Sequence, residues 1–147
     1  MKIRCLLTLL IIIALGAQPM RAGAQSAEEA AIRQTLQHYL QAQITGNPDH
    51  LQKAFHPDAR LSFVRDGKLA QMTLDEYAKR FSGQSAEDEA RRKRTIEHIE
   101  IDGYAASARI VFDYPTTLTT DFILLLKLEG EWKIVQKSFY VRTKPKS

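Results

Sequence analysis

The stretch Leu118-Thr119-Thr120-Asp121-Phe122-Ile123-Leu124-Leu125-Leu126-Lys127-Leu128-Glu129-Gly130-Glu131-Trp132-Lys133-Ile134-Val135-Gln136-Lys137-Ser138-Phe139-Tyr140-Val141-Arg142 decides the fold. Glu129-Gly130 suits a tight turn between two long strand-forming runs, so the segment predicts a hairpin. Ile123-Leu124-Leu125-Leu126 is apolar on both parities, which predicts a strand covered on both faces, by helices on one and a second subunit on the other. Upstream, Thr95–Ile101, Asp102-Gly103 and Tyr104–Tyr114 predict another hairpin, closed by Pro115. A four-strand meander follows from the two.

Before the meander the period changes. Ser26-Ala27-Glu28-Glu29 has the form of a capping box, and Ile32, Leu36, Tyr39, Leu40 and Ile44 make one apolar stripe of a long helix ended by Thr45-Gly46. Asn47-Pro48 predicts an N-cap and first turn of a short second helix with Leu51, Ala54 and Phe55 buried, and His56-Pro57 stops it. Ala59–Val64, Asp66-Gly67 and Lys68–Met72 predict a short hairpin. Thr73-Leu74-Asp75-Glu76 is a second capping box, opening a third helix with Leu74, Tyr77, Ala78 and Phe81 on one face. Ser82–Ala90 is polar and predicts a connection. The plan is α+β, in one domain.

The chain has 147 residues, one Cys and a net charge of +4. Lys2 and Arg4 precede the short apolar run Leu6–Leu15, and Ala22-Gly23-Ala24 ends the segment with small residues. This pattern predicts a secretory signal over residues 1–24, cleaved between Ala24 and Gln25, and a periplasmic or secreted domain over residues 25–147 without a stable membrane anchor. Cleavage removes three bases and no acid, lowering the charge from +4 to +1. It also removes Cys5, so the mature domain has no thiol chemistry and no disulfide. Arg91-Arg92-Lys93-Arg94 follows the acids Glu87-Asp88-Glu89 and reads as a solvated face, so no nucleic-acid partner is expected.

The chain resembles the nuclear transport factor 2-like superfamily, also called SnoaL-like or ketosteroid-isomerase-like, and within it the "putative lumazine-binding" group. The resemblance rests on Tyr39-Leu40 with Gly46, on Ala54-Phe55-His56-Pro57-Asp58-Ala59, and on Thr73-x-Asp75-Glu76-Tyr77. Toward the C-terminus it rests on Asp121-Phe122, Leu125-Leu126-Lys127 and Gly130-Glu131-Trp132-Lys133-Ile134-Val135. It covers Ala27 to Tyr140 and implies a cone: three N-terminal helices packed in a curved antiparallel β-sheet, with the site inside. The fold hosts isomerases, dehydratases, hydrolases and binding modules, so it does not by itself name a function.

Tyr39 lies where isomerases of the superfamily carry an oxyanion-stabilising Tyr, and a core Tyr bonded to backbone or water fits it equally. Phe63 and Leu124 stand where the two acids of those isomerases would be, which disfavours a ketosteroid-isomerase mechanism. His56 with Asp58 forms either an acid–base pair or a turn at Pro57, and two ligands do not make a metal site. Asp121 is a buried acid if its strand face is concave, and a solvated or dimer-bonded one if convex. Candidate catalytic residues are therefore Tyr39, His56 and Asp121. The pool for an apolar, aromatic pocket is Tyr39, Phe55, His56, Phe63, Tyr77, Phe81, Phe112, Phe122, Trp132 and Tyr140. No cofactor or metal motif appears. The expected function is binding of a small apolar or aromatic molecule by a homodimer, with a pocket enzyme and a protein-interaction module as alternatives.

Overall fold

The computed structural model describes residues 20–145. Chain order is α1 (Met20–Thr45), α2 (Asp49–Ala54), β1 (Phe55–Arg65), β2 (Lys68–Thr73), α3 (Leu74–Ala78), a 3-10 turn (Glu89–Arg91), β3 (Lys93–Asp102), β4 (Ala105–Asp113), β5 (Thr117–Leu128) and β6 (Glu131–Thr143). Residues 1–19 of the expected signal lie outside the described residues. Among the described residues, no helix is long and apolar enough to cross a membrane.

The expected elements form, with boundary changes that have local causes. α1 starts at Met20 rather than at Ser26, and the Ser26 hydroxyl bonds back to the Gly23 carbonyl inside the helix instead of capping it. Asn47 Oδ1 accepts from the Asp49 N–H at 2.9 Å, so α2 begins one residue past Pro48. Phe55 is buried as expected but already belongs to β1, since His56-Pro57 forces the chain into extended geometry. The Thr73 hydroxyl and the Glu76 carboxylate complete their capping box reciprocally. α3 then stops at Ala78 and tightens into turns in which Arg80 and Phe81 donate three residues back, which still carries Phe81 onto the Tyr77 ring at 5.2 Å.

Asp66-Gly67 and Glu129-Gly130 take positive φ at both positions, the geometry of two-residue hairpin turns. The β3–β4 turn is shifted by one residue from expectation. Asp102 pairs with Ala105, leaving Gly103-Tyr104 as the loop, and Gly103 alone takes positive φ. The six strands form one sheet in the order β2-β1-β6-β5-β4-β3. Every neighbouring pair is antiparallel except β1–β6, which is parallel. The expected sheet was antiparallel throughout. The parallel pair arises because the β1–β2 hairpin joins the free edge of β6 rather than extending the meander from β3.

Three irregularities bend this sheet: within Phe55–Arg60 of β1, at Glu97 of β3 and at Val135 of β6. Its concave face packs on α1 through Ile32, Leu36 and Tyr39, which meet Ile110, Ile123 and Ile134 in one core. Trp132 closes the narrow end, its indole N–H held by Glu28 Oε2 at 2.7 Å while Lys127 holds Glu28 Oε1 at 2.6 Å.

Within one chain the helices cover one face of β5 and leave the other open. Ile123 and Leu125 are buried, while Phe122, Leu124 and Leu126 on the other face are 56%, 52% and 39% exposed. The basic run departs from expectation. Arg94 turns inward, bonding both Glu89 oxygens, the Tyr114 hydroxyl and the Gln43 carbonyl, and so ties the 3-10 turn to α1.

Candidate functional site

Tyr39 stands on the buried stripe of α1 and reaches the concave face at β5. Its hydroxyl donates to Asp121 Oδ2 at 2.6 Å and accepts from Lys137 Nζ at 2.9 Å. Lys137 also bonds Asp121 Oδ2 directly at 3.1 Å. The Tyr77 hydroxyl lies 3.3 Å from that of Tyr39 and accepts from Gln43 Nε2 at 2.6 Å. The pairing registers explain the convergence: Asp121 faces Phe139 across the β5–β6 ladder, and Lys137 faces Ile123, all on the inner surface.

Lys137 reaches that surface because of the bulge at Val135. Trp132 and Ile134 point inward, and strict alternation would send Gln136, Ser138 and Tyr140 in after them. The unpaired Val135 shifts the phase by one, so that Lys137 points in and Tyr140 points out.

The group is a buried ion pair in an aromatic enclosure. Asp121 is fully buried and Lys137 only 4% exposed. The ammonium lies 4.5 Å from the centre of the Phe139 ring, 4.8 Å from that of Tyr77 and 5.3 Å from that of Tyr39. Burial works against the charged Lys137, but Tyr77 and Asp121 outweigh it and hold its pKa above the ordinary lysine value. Burial first, then the Asp121 charge beside it, pushes the Tyr39 hydroxyl well above the ordinary tyrosine value. Both groups stay protonated longer folded than unfolded. Their contribution to stability is complete below the unfolded-state pKa values and is lost as pH rises through the folded ones. Alkaline difference absorbance should therefore show Tyr39 ionising only together with unfolding. Ionisation of all five tyrosines with the fold intact would contradict the geometry.

A cavity of about 150 Å³ opens over this floor, lined by Tyr39, Tyr77, Phe112, Asp121, Lys137 and Phe139, with Arg80 at its edge. Gln43, Tyr77 and Arg80 also line an adjoining cleft of about 300 Å³ that runs along Phe81 and the Ser82–Ala86 loop to Arg92.

Of the three candidate catalytic residues, Tyr39 and Asp121 meet and His56 does not. His56 Nδ1 accepts the Asp58 N–H at 3.2 Å, making the local turn at Pro57, and its ring faces a separate groove beside Glu129 and Lys133. Of the aromatic pool, Tyr39, Tyr77 and Phe112 line the cavity and Phe81 the cleft. Phe55 is buried behind the site, edge-on to Tyr39 at 5.3 Å. Phe63 stacks on Phe139 at 5.0 Å from the neighbouring strand, one ring removed from the cavity. Phe122 and Tyr140 lie on the outer face, and Trp132 is fixed at the narrow end by Glu28. Lys137 and Phe139 were not in the pool. The signal for them is the phase change in β6, where the apolar residues move from Trp132 and Ile134 to Phe139 and Val141. Only an inserted residue reconciles those two parities.

Residues 27–140 match the family described as "Putative lumazine-binding". Among curated proteins, the chain is 27% identical over 120 residues to the aldolase FrzH of Cladobotryum sp., covering 78% of this chain and 92% of that protein. Among solved structures it is similar to an NTF2-like protein of unknown function from Shewanella baltica, with a TM-score of 0.72 at 26% identity, covering 88% of this chain and 100% of that one. An NTF2-like protein of unknown function from Methylobacillus flagellatus gives a TM-score of 0.68 at 29% identity, covering 79% and 93%.

Proposed function

The chain belongs to the "Putative lumazine-binding" family of nuclear transport factor 2-like fold, and from that premise we propose that it is an exported small-molecule-binding protein whose ligand occupies the Tyr39–Asp121–Lys137 cavity. Family and fold support a small-molecule-binding domain. The observation that carries the specific reading is the buried Lys137–Asp121–Tyr39 cluster at the floor of an aromatic-lined cavity. A charge pair taken out of water contributes little to stability against an apolar replacement of the same size. Its value here is as a polar anchor in an otherwise apolar space, the usual make-up of a ligand site.

Native mass spectrometry of protein recovered from the periplasm tests this. The polypeptide should begin at Gln25 and carry a small molecule that Lys137→Met and Tyr39→Phe proteins lose at least about tenfold. Intact mass beginning at Met1 would remove the export reading, and equal retention by both variants would remove the site.

A second reading, an enzyme acting on a carbonyl compound, is favoured by the conjunction of an ammonium, a phenol and a carboxylate with the similarity to an aldolase. Solvent deuterium exchange next to the carbonyl of small ketones, abolished by Asp121→Asn, would support it. No exchange across the panel would leave binding alone.

We further propose that the outer face of β5 meets a second copy of the chain. Phe122, Leu124 and Leu126 form one exposed apolar row on an interior strand of the sheet, flanked by Ser107 and Arg109 on β4 and by Gln136 and Ser138 on β6. Such rows mark association surfaces. Light scattering should give a dimer for the native chain and a monomer for Leu124→Asp, with unchanged circular dichroism. A monomeric native chain at tens of micromolar would contradict it.

A further inference from the structure

The charges around the cavity and its outer cleft are matched inside the protein, with one exception. Lys137 is paired with Asp121. Arg92, which lines the cleft, is held by Asp88 at 2.7 Å and lies over the Tyr114 ring. Arg94, bonded to the Tyr114 hydroxyl, is held by Glu89. Arg80 lines both the cavity and the cleft, and among the described residues it has no ion-pair partner. Among those residues no carboxylate lines the cleft, and Asp121, in the cavity, is already taken by Lys137. One unit of positive charge is therefore in surplus, at the junction of the two spaces.

The turn after α3 puts it there. The Arg80 N–H donates to the Tyr77 carbonyl at 3.0 Å, and residues three apart in so tight a turn share one side of it. Tyr77 and Arg80 accordingly line the same two spaces. A base on an open face is satisfied by water and needs no partner. This one borders a concave site whose other charges are all neutralised by the protein itself.

We propose that the site takes an organic monoanion, its apolar body in the inner cavity against Tyr39 and Phe112 and its carboxylate on Arg80 at the mouth. The inference rests on the binding reading and adds a charge to the ligand. A volume of about 150 Å³ admits one benzene-sized ring, and the cleft beyond it leaves room for the charged end. The planar fork of a guanidinium matches the two oxygens of a carboxylate, which cancels the single surplus charge. A phosphate monoester would bring a second negative charge with nothing to meet it. A neutral ligand would leave Arg80 unused, and a cation would be repelled by it.

Three probes sharing a 2-phenylethyl body test it: 3-phenylpropanoate, 3-phenylpropanamide and 2-phenylethyl phosphate. Each is titrated into the purified protein at neutral pH while the resonances of Tyr39, Tyr77 and Phe112 are followed by NMR. The carboxylate should bind at least about tenfold tighter than the amide, a difference of about 1.4 kcal/mol, and tighter than the phosphate. Arg80→Gln should bring the carboxylate down to the affinity of the amide and leave the amide unchanged. Arg91→Gln removes an equal charge from an exposed residue that lines neither space, and should leave the preference intact. Equal affinity of carboxylate and amide, or a preference that survives Arg80→Gln or falls as far with Arg91→Gln, would overturn the assignment while leaving the cavity as a ligand site. Tighter binding of the phosphate would overturn the carboxylate class. If no probe shifts these resonances up to its solubility limit, both the assignment and the cavity reading fall.

Discussion

Asp121→Ala should destabilise the protein by about 3–5 kcal/mol, because it leaves the Lys137 ammonium buried against three rings with no counter-charge. The Tyr39 hydroxyl loses its acceptor in the same step. The double substitution Asp121→Leu with Lys137→Met should recover most of that loss, since it removes the desolvated charges together and fills the space with apolar atoms. Urea denaturation of the wild type, Asp121→Leu, Lys137→Met and the double forms a cycle that isolates the pairwise term. If the double protein is as unstable as the sum of its singles, the pair is not the origin of the effect. The same double protein should be stable yet unable to retain a polar ligand, separating what the ion pair does for binding from what it does for folding.

Gly46→Ala should cost at least about 2 kcal/mol for a different reason. Gly46 ends α1 at φ +69°, its N–H donates to the Ala42 carbonyl, and its own carbonyl accepts from Gly83 at 2.8 Å. A side chain strains that backbone, and its Cβ would fall on the Gln84 carbonyl. Backbone cannot swing aside as a flexible side chain can, so the Ser82–Ala86 loop must move off the end of α1. That loop walls the outer cleft. Thermal unfolding should therefore show a lowered midpoint, and hydrogen exchange should show faster exchange at Gly83 in the variant. Gly67→Ala, at φ +74° but with open space around its Cβ position, should lose less. Equal losses at the two glycines would mean that the conformational strain, not the contact with Gln84, sets the cost.

The parts of the fold legible in the sequence are those written in local chemistry. Asp66-Gly67 and Glu129-Gly130 fix their turns through positive φ, and the Thr73–Glu76 capping box opens α3 as its spacing requires. Tyr39 and Asp121 were legible as candidates because a phenol on an apolar stripe and an acid in an apolar strand both call for partners. That Lys137 is the partner was not legible from alternation, because one unpaired residue at Val135 reverses the phase of β6. The same reversal moved Tyr140 from the expected pocket to the outer surface, where it is 64% exposed. Of the two roles open to His56 in the sequence, the structure shows the turn at Pro57, its ring engaged by the backbone two residues on. The parallel β1–β6 pairing depends on contacts between strands far apart in sequence, which no local pattern records.

The bulge at Val135 also divides the labour of β6. Before it, Trp132 and Ile134 serve the core and the narrow end; after it, Lys137, Phe139 and Val141 serve the cavity. Because the two sets are separated by a break in register rather than interleaved, Phe139 and Val141 can change size with little effect on Trp132 and Ile134. Lys137 is held to its charge by Asp121, so on the proposed binding reading the adjustable part of the strand is the two uncharged positions downstream of one extra amino acid.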